Sequence, residues 1–191
     1  MTLDRPGFAD PATDAQSCFR AALHAMSRPG AIRSAGAGLL PPAPLDPATA
    51  AVLLTLVDAD TPLWLDPAAA AAADWAAFHC GAARAGSIGA AAFACALAMP
   101  PLSSLHPGTD LAPEASATLI LQVRALGRGA PYCLSGPGLR APALLRVDGL
   151  PDDFAAQWAA NHALYPCGVD VVLCEGERLC ALPRSVRIRE D

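Results

Sequence analysis

Two aspartates, Asp58 and Asp60 in "LVDADTP", stand between two apolar stretches. Carboxylates spaced this way could hold a magnesium ion, and they are equally suited to ending a helix and shaping a turn. Thr109, Asp110 and Glu114 in "GTDLAPEASATLILQV" precede an apolar run, in a loop of the kind that often carries function. Arg184, Arg187 and Arg189 near the C-terminus could meet an anion or an acidic partner; the plainer alternative is a charged edge that resists aggregation. Arg28 in "SRPG" and Arg184 in "LPRS" are candidates for directional pairing with a partner's carboxylates. Asp170, at the start of "DVVLCE", completes these ligand or interface candidates.

"YCLSGPGLRAP" resembles a phosphate-cradling loop. Gly136 and Gly138, with Ala141, match most of a dinucleotide-binding fingerprint, and Ser135 adds a hydroxyl. That fingerprint needs a helix directly after the glycines and an acidic residue about 20 positions on. Here Pro142 comes early and "ALLRV" reads as extended, while Pro137 removes one backbone N–H donor. A tight turn between two strands is the expectation.

Absences narrow the chemistry further. All 13 basic residues are arginine. Without lysine the chain can form no Schiff base with pyridoxal phosphate and can complete no Walker A loop. Seven cysteines are present, no pair of them two residues apart, so neither a disulfide framework nor a zinc knuckle is indicated. Most lie in apolar runs, and all seven read as buried, reduced thiols. His24, His79, His106 and His162 share no ligand spacing, and Ser87 in "AGSIG" lacks the first glycine of a nucleophile elbow.

The elements that must position these residues are legible from composition and pattern. The chain has 191 residues, 53% hydrophobic and 16% charged, which suits one domain with a well-filled core. A net charge of −5 argues against nucleic acid as a partner. The acidic start "MTLDRPGFADPATDA" has no export-signal pattern, and the uncharged stretch 85–105 contains two glycines and two prolines, so a buried strand plus a turn is expected there rather than a membrane span. A cytoplasmic chain is the expectation.

A helix is predicted through "AQSCFRAALHAMS", capped by Thr13 or Asp14, with Phe19, Leu23 and Met26 on one face. Asp46-Pro47 and Asp66-Pro67 open two more, the second ended by Gly81. "LPDDFAAQWAANHALY" is a fourth. "TPLWL", "AAFACAL", "ATLILQVRAL", "PYCLS" and "ALLRV" read as strands, and "GVDVVLCEGERLCALP" as a hairpin around Glu175 and Gly176. The reading is mixed α/β, with one mixed sheet and helices on both faces.

Five blocks, "AQSCFRAALHAMSRPG", "VLLTLVDADTPLWL", "GTDLAPEASATLILQV", "LSGPGL" and "YPCGVDVVLCEGERLCALPRS", occur in an order and spacing that resemble the PhnH family of the bacterial carbon–phosphorus lyase system. The resemblance runs over about residues 10 to 188. It implies a three-layer α/β/α fold related to the pyridoxal phosphate-dependent transferases but without that cofactor, in a single domain whose residues 1–11 are loosely ordered. It also implies a homodimer within a core complex of PhnG, PhnI and PhnJ subunits. In that system MgATP and an alkylphosphonate yield a ribose 1-phosphonate 5-triphosphate, and a partner's iron–sulfur cluster later breaks the carbon–phosphorus bond. No metal or cofactor is expected in this chain. Three functions follow: an accessory, non-catalytic subunit of the complex, which is favoured; an independent enzyme using Asp58, Asp60, Glu114 and arginines; or a small-molecule-binding regulatory module.

Overall fold

The computed structural model describes residues 5–190. Residues 1–4 of the segment expected to be loosely ordered therefore lie outside the described residues. The Arg5 carbonyl accepts a hydrogen bond from Trp75 Nε1 at 3.0 Å, and Phe8 packs against the core.

Helix α1 (Pro11–Ser27) begins earlier than the sequence suggests. Its N-cap is Asp10, not Thr13 or Asp14, because Pro11 presets the first helical φ and Asp10 takes the Thr13 N–H and hydroxyl at 3.3 and 2.8 Å. Asp14 returns the contact by accepting from the Asp10 N–H at 3.0 Å. The hydrogen bonds from Thr13 hold the Asp10 carboxyl below its ordinary range.

Strand β1 (Arg33–Ser34) and helix α2 (Pro47–Leu56) follow, then β2 (Leu63–Leu65). The second Asp-Pro opening starts a 3₁₀ turn, Pro67–Ala72, that runs into α3 (Ala73–Cys80), ended by Gly81 in the left-handed conformation as expected. The uncharged stretch 85–105 contains β3 (Phe93–Ala96) between two short 3₁₀ turns, and no helix among the described residues is long and apolar enough to cross a membrane. The run "ATLILQVRAL" divides into β4 (Thr118–Gln122) and the start of β5 (Ala125–Ser135). Then come β6 (Ala143–Asp148), α4 (Phe154–His162), the hairpin β7 (Asp170–Glu175) and β8 (Arg178–Leu182), and β9 (Arg187–Glu190).

The main sheet is mixed, in the order β1-β8-β7-β4-β3-β2. Strands β7, β4, β3 and β2 run parallel; β8 lies antiparallel to β7, and the edge strand β1 antiparallel to β8. Successive residues alternate between two cores. Cys95, Ile120, Val172, Cys174, Leu179 and Ala181 face one core with α1, α2 and α3. Ala94, Leu119, Leu121, Val171, Leu173 and Leu182 face the other with Phe154 and Trp158 of α4. Burial on both faces is why these strands read as continuous apolar runs.

The second core also contains Tyr132, Leu134, Leu145, Val147 and Ile188 from a separate antiparallel sheet, β6-β5-β9. Local pattern marks the β5 and β6 strands but not their separation from the main sheet. Strand periodicity reports which residues are buried, not which sheet buries them.

One polar node joins these layers. Gln122, at the end of β4, accepts from the Asp46 N–H at 2.7 Å and the Thr49 hydroxyl at 2.9 Å, and donates to the Pro44 carbonyl at 2.9 Å. The Asp46 carboxylate does not cap its own helix; it accepts from the Gly176 N–H in the β7–β8 turn at 2.9 Å. Replacing Gln122 with leucine orphans three polar groups and should cost about 2–4 kcal/mol in urea unfolding. A loss below about 1 kcal/mol would show that α2 does not depend on this node.

Candidate functional site

The turn between β5 and β6 is built by its glycines. Gly136 and Gly138 have φ of 133° and 83°, and the Leu139 N–H donates to the Gly136 carbonyl at 3.2 Å. A Cβ on Gly138 would lie 2.3 Å from the Ser27 carbonyl oxygen, and one on Gly136 would lie 3.2 Å from that of Ser185. The turn is thus wedged between the exit of α1 and the segment leading into β9, with Gly138 against Ser27 and Pro29, the neighbours of Arg28, and Gly136 against Ser185 and Val186. Carbonyl oxygens beside the glycines present the wrong charge to a phosphate, and a strand rather than a helix follows.

Arg28 is the C-cap of α1, where the helix dipole favours a cation. Its Nη1 lies 3.0 Å from His24 Nε2. Arg33, which the sequence reading passed over, places Nε 2.9 Å from His24 Nδ1 and Nη2 2.7 Å from Nε2. Lost hydration, then the Arg33 and Arg28 charges, depress the His24 pKa below 6.5. A sequence signal existed: from Ala15 to Leu45 the chain carries Arg20, Arg28 and Arg33 and no acidic residue.

Asp170 and Arg184 meet each other. Arg184 Nη2 lies 2.6 Å from Asp170 Oδ2, its backbone N–H donates to Oδ1 at 2.7 Å, and Nη1 donates to the Pro113 carbonyl at 2.8 Å. With side-chain exposures of 15% and 20%, the pair clamps the Pro113–Ala115 turn to the main sheet. Arg184 is therefore engaged within the chain, and reversing its charge would set two carboxylates together. Glu114 is exposed on that turn, and Thr109 Oγ1 accepts from the Ala112 N–H at 3.1 Å.

Asp58 and Asp60 lie apart from both groups. Asp58 Oδ1 accepts from the Asp60 N–H at 3.0 Å and the Thr61 hydroxyl at 2.9 Å, which shapes the exposed turn after α2. Among the described residues, no three His, Cys, Asp or Glu side chains gather as metal ligands. All seven cysteines are free; five are buried, while Cys80 and Cys133 are only half-buried. Burial pushes the Cys95 and Cys180 thiols to about 12 and Cys80 to about 11, away from the reactive thiolate.

A cleft of about 550 Å³, which no sequence motif signals, lies between α4 and the loop 101–107. Leu102, Leu105 and Leu164 supply apolar wall. Gln157 is engaged by the Leu102 N–H and the Asp153 carboxylate, and Asn161 by the Val169 backbone. Its lining carries a carboxylate and no cation, which suits an apolar or cationic group better than a phosphonate.

Two outcomes test these assignments. Gly138→Ala combines positive φ with a backbone clash and should cost about 2 kcal/mol or more, whereas Gly176→Ala, with φ of 55° and open space, should cost about 1 kcal/mol. Equal losses in chemical denaturation would mean that Ser27 does not crowd Gly138. The His24 ring should titrate below 6.5 by NMR and move upward in Arg33→Ala. A basic group with a lowered folded pKa leaves stability intact above 6.5 and erodes it as pH falls towards the folded value. An unmoved His24 titration in Arg33→Ala would contradict the pairing.

Comparison with known proteins places this geometry. Residues 6–189 match the family model described as bacterial phosphonate metabolism protein (PhnH). The chain is 40% identical over 189 residues to the alpha-D-ribose 1-methylphosphonate 5-triphosphate synthase subunit PhnH of Rhizobium meliloti (strain 1021), covering 96% of this chain and 94% of that protein. It is 32% identical over 179 residues to the putative C-P lyase subunit protein HtxG of Stutzerimonas stutzeri, covering 91% and 85%. With one family model spanning both cores, the Gly136–Gly138 turn and the Asp170–Arg184 clamp, the chain belongs to the PhnH family of bacterial phosphonate metabolism proteins.

Proposed function

We propose that this chain is an accessory, non-catalytic subunit of a carbon–phosphorus lyase core complex. It supports formation of a ribose 1-alkylphosphonate 5-triphosphate from MgATP and an alkylphosphonate. The observation that carries this reading is 40% identity, along nearly the whole of both chains, to a subunit named for that synthase. The hydrogen bonds agree with it: Asp58 shapes a turn, Thr109 closes a loop, and Asp170 and Arg184 hold each other. Each of these polar groups performs a structural task.

The same reading makes the chain a single cytoplasmic domain and a homodimer, working beside PhnG-, PhnI- and PhnJ-type subunits without a metal or cofactor of its own. It also relates the fold to the pyridoxal phosphate-dependent transferases in a three-layer arrangement. The mixed sheet with α1 to α3 on one face and α4 on the other supports that relation, and an arginine-only chain could not hold the cofactor as a Schiff base. The cleft beneath α4 favours a second reading, a small-molecule-binding regulatory module, which would show as a ligand-dependent rise in melting temperature.

The purified chain should release no adenine from MgATP and methylphosphonate. Steady release over many turnovers by the isolated protein would make it an enzyme in its own right and end the accessory reading.

A further inference from the structure

Helix α1 is turned the unexpected way round. The sequence groups Phe19, Leu23 and Met26 on one face, yet Cys18, Ala22 and Ala25 are the buried residues; Met26 is only partly buried against the core, and Phe19 and Leu23 are 49% and 57% exposed. Small side chains let α1 lie close to α2 and β8, which leaves the bulky ones outside. At 100° per residue, Leu23 shares the outward side with Arg20 and His24, with Phe19 at its border. Arg28 and Arg33 close the end of that side through the His24 ring.

This end of the helix is electrostatically incomplete. A neutral imidazole has one lone pair, yet three guanidinium nitrogens lie within 3.0 Å of its two ring nitrogens. The ion pairs among the described residues join Arg124 to Asp148, Arg178 to Glu175 and Arg184 to Asp170, so none neutralises Arg20, Arg28 or Arg33. Water can solvate these cations while the surface stays open. A free phosphate there would be screened by salt and weakly held. A protein carboxylate arriving together with apolar surface would desolvate the pair and cover Phe19 and Leu23 at once.

We infer that the outward face of α1 docks an acidic and apolar surface on a different subunit of the same complex, carboxylates meeting Arg28 and Arg33 while aliphatic groups cover Phe19 and Leu23. The inference rests on the accessory-subunit reading. Charge argues against a second copy of this chain. A two-fold contact through this patch would bury the arginines of both copies in one interface, and the segment from Ala15 to Leu45 offers no carboxylate to neutralise them.

The test uses the chain co-expressed with the other subunits of the synthase. Leu23→Asp and the double variant Arg28→Glu/Arg33→Glu should each weaken association by about tenfold or more while remaining folded. Arg33→Gln, which removes charge without reversing it, serves if the double variant is unfolded. Phe78→Ser, at an exposed position on α3, should assemble normally. Wild-type association by the α1 variants overturns the inference. So does a homodimer lost while the other subunits still bind, which would make the occupant a second copy. Inorganic phosphate binding lost from the double variant with assembly unchanged would reassign the cluster to a small anion. A wild-type chain that binds none of these subunits removes the accessory reading, and this inference with it.

Discussion

Burial of the parallel strands on both faces is the constraint from which the rest of the structure follows. Leu119 and Leu121 of β4 face one core and Ile120 the other, and β3 and β7 repeat the alternation. No strand of this kind is stable until both sides are covered. On one side the cover is α1, α2 and α3, rich in alanine, which lets helices approach the sheet closely. On the other it is α4 and a second small sheet, with Trp158 anchored by a 2.8 Å hydrogen bond to the Val186 carbonyl. A sheet so enclosed can admit few polar groups, and those it admits must be paired. Gln122, Thr49 and Asp46 form such a set.

Polar and charged side chains are correspondingly left to the ends of the strands and to the outer faces of the helices. The Asp170–Arg184 pair and the Gly136–Gly138 turn both lie at junctions where segments distant in sequence meet. Their energetics are those of joints. The guanidinium at the clamp spends its donors on Asp170 and Pro113, and the glycines permit an approach no side chain would allow. The outward side of α1 is one surface left uncommitted, with large apolar groups beside cations that none of the ion pairs among the described residues neutralises.

Much of this fold was legible in the sequence because local signals agreed with global burial. Asp-Pro openings marked α2 and α3, a glycine closed α3, and apolar runs marked the main-sheet strands. The start of α1 was misplaced because Pro11 and Asp10 form a stronger cap than the acid and hydroxyl that follow. Its facing was misread because hydrophobic pattern assigns bulky residues to the core, whereas tight packing here selects alanine and cysteine. The family was legible from five ordered blocks. The His24–Arg33 contact, the second sheet and the cleft beneath α4 depend on tertiary placement that no local spacing encodes.

The central claim, that the chain acts through assembly and not through chemistry of its own, is tested most directly by add-back. Core complex prepared without this chain would be titrated with the purified protein while formation of ribose 1-methylphosphonate 5-triphosphate from MgATP and methylphosphonate is followed. The account predicts activity that rises with added chain and saturates once every complex carries it, with the chain retained in the complex on sedimentation. Activity restored in proportion to catalytic traces of the chain, with no stable association, would contradict it.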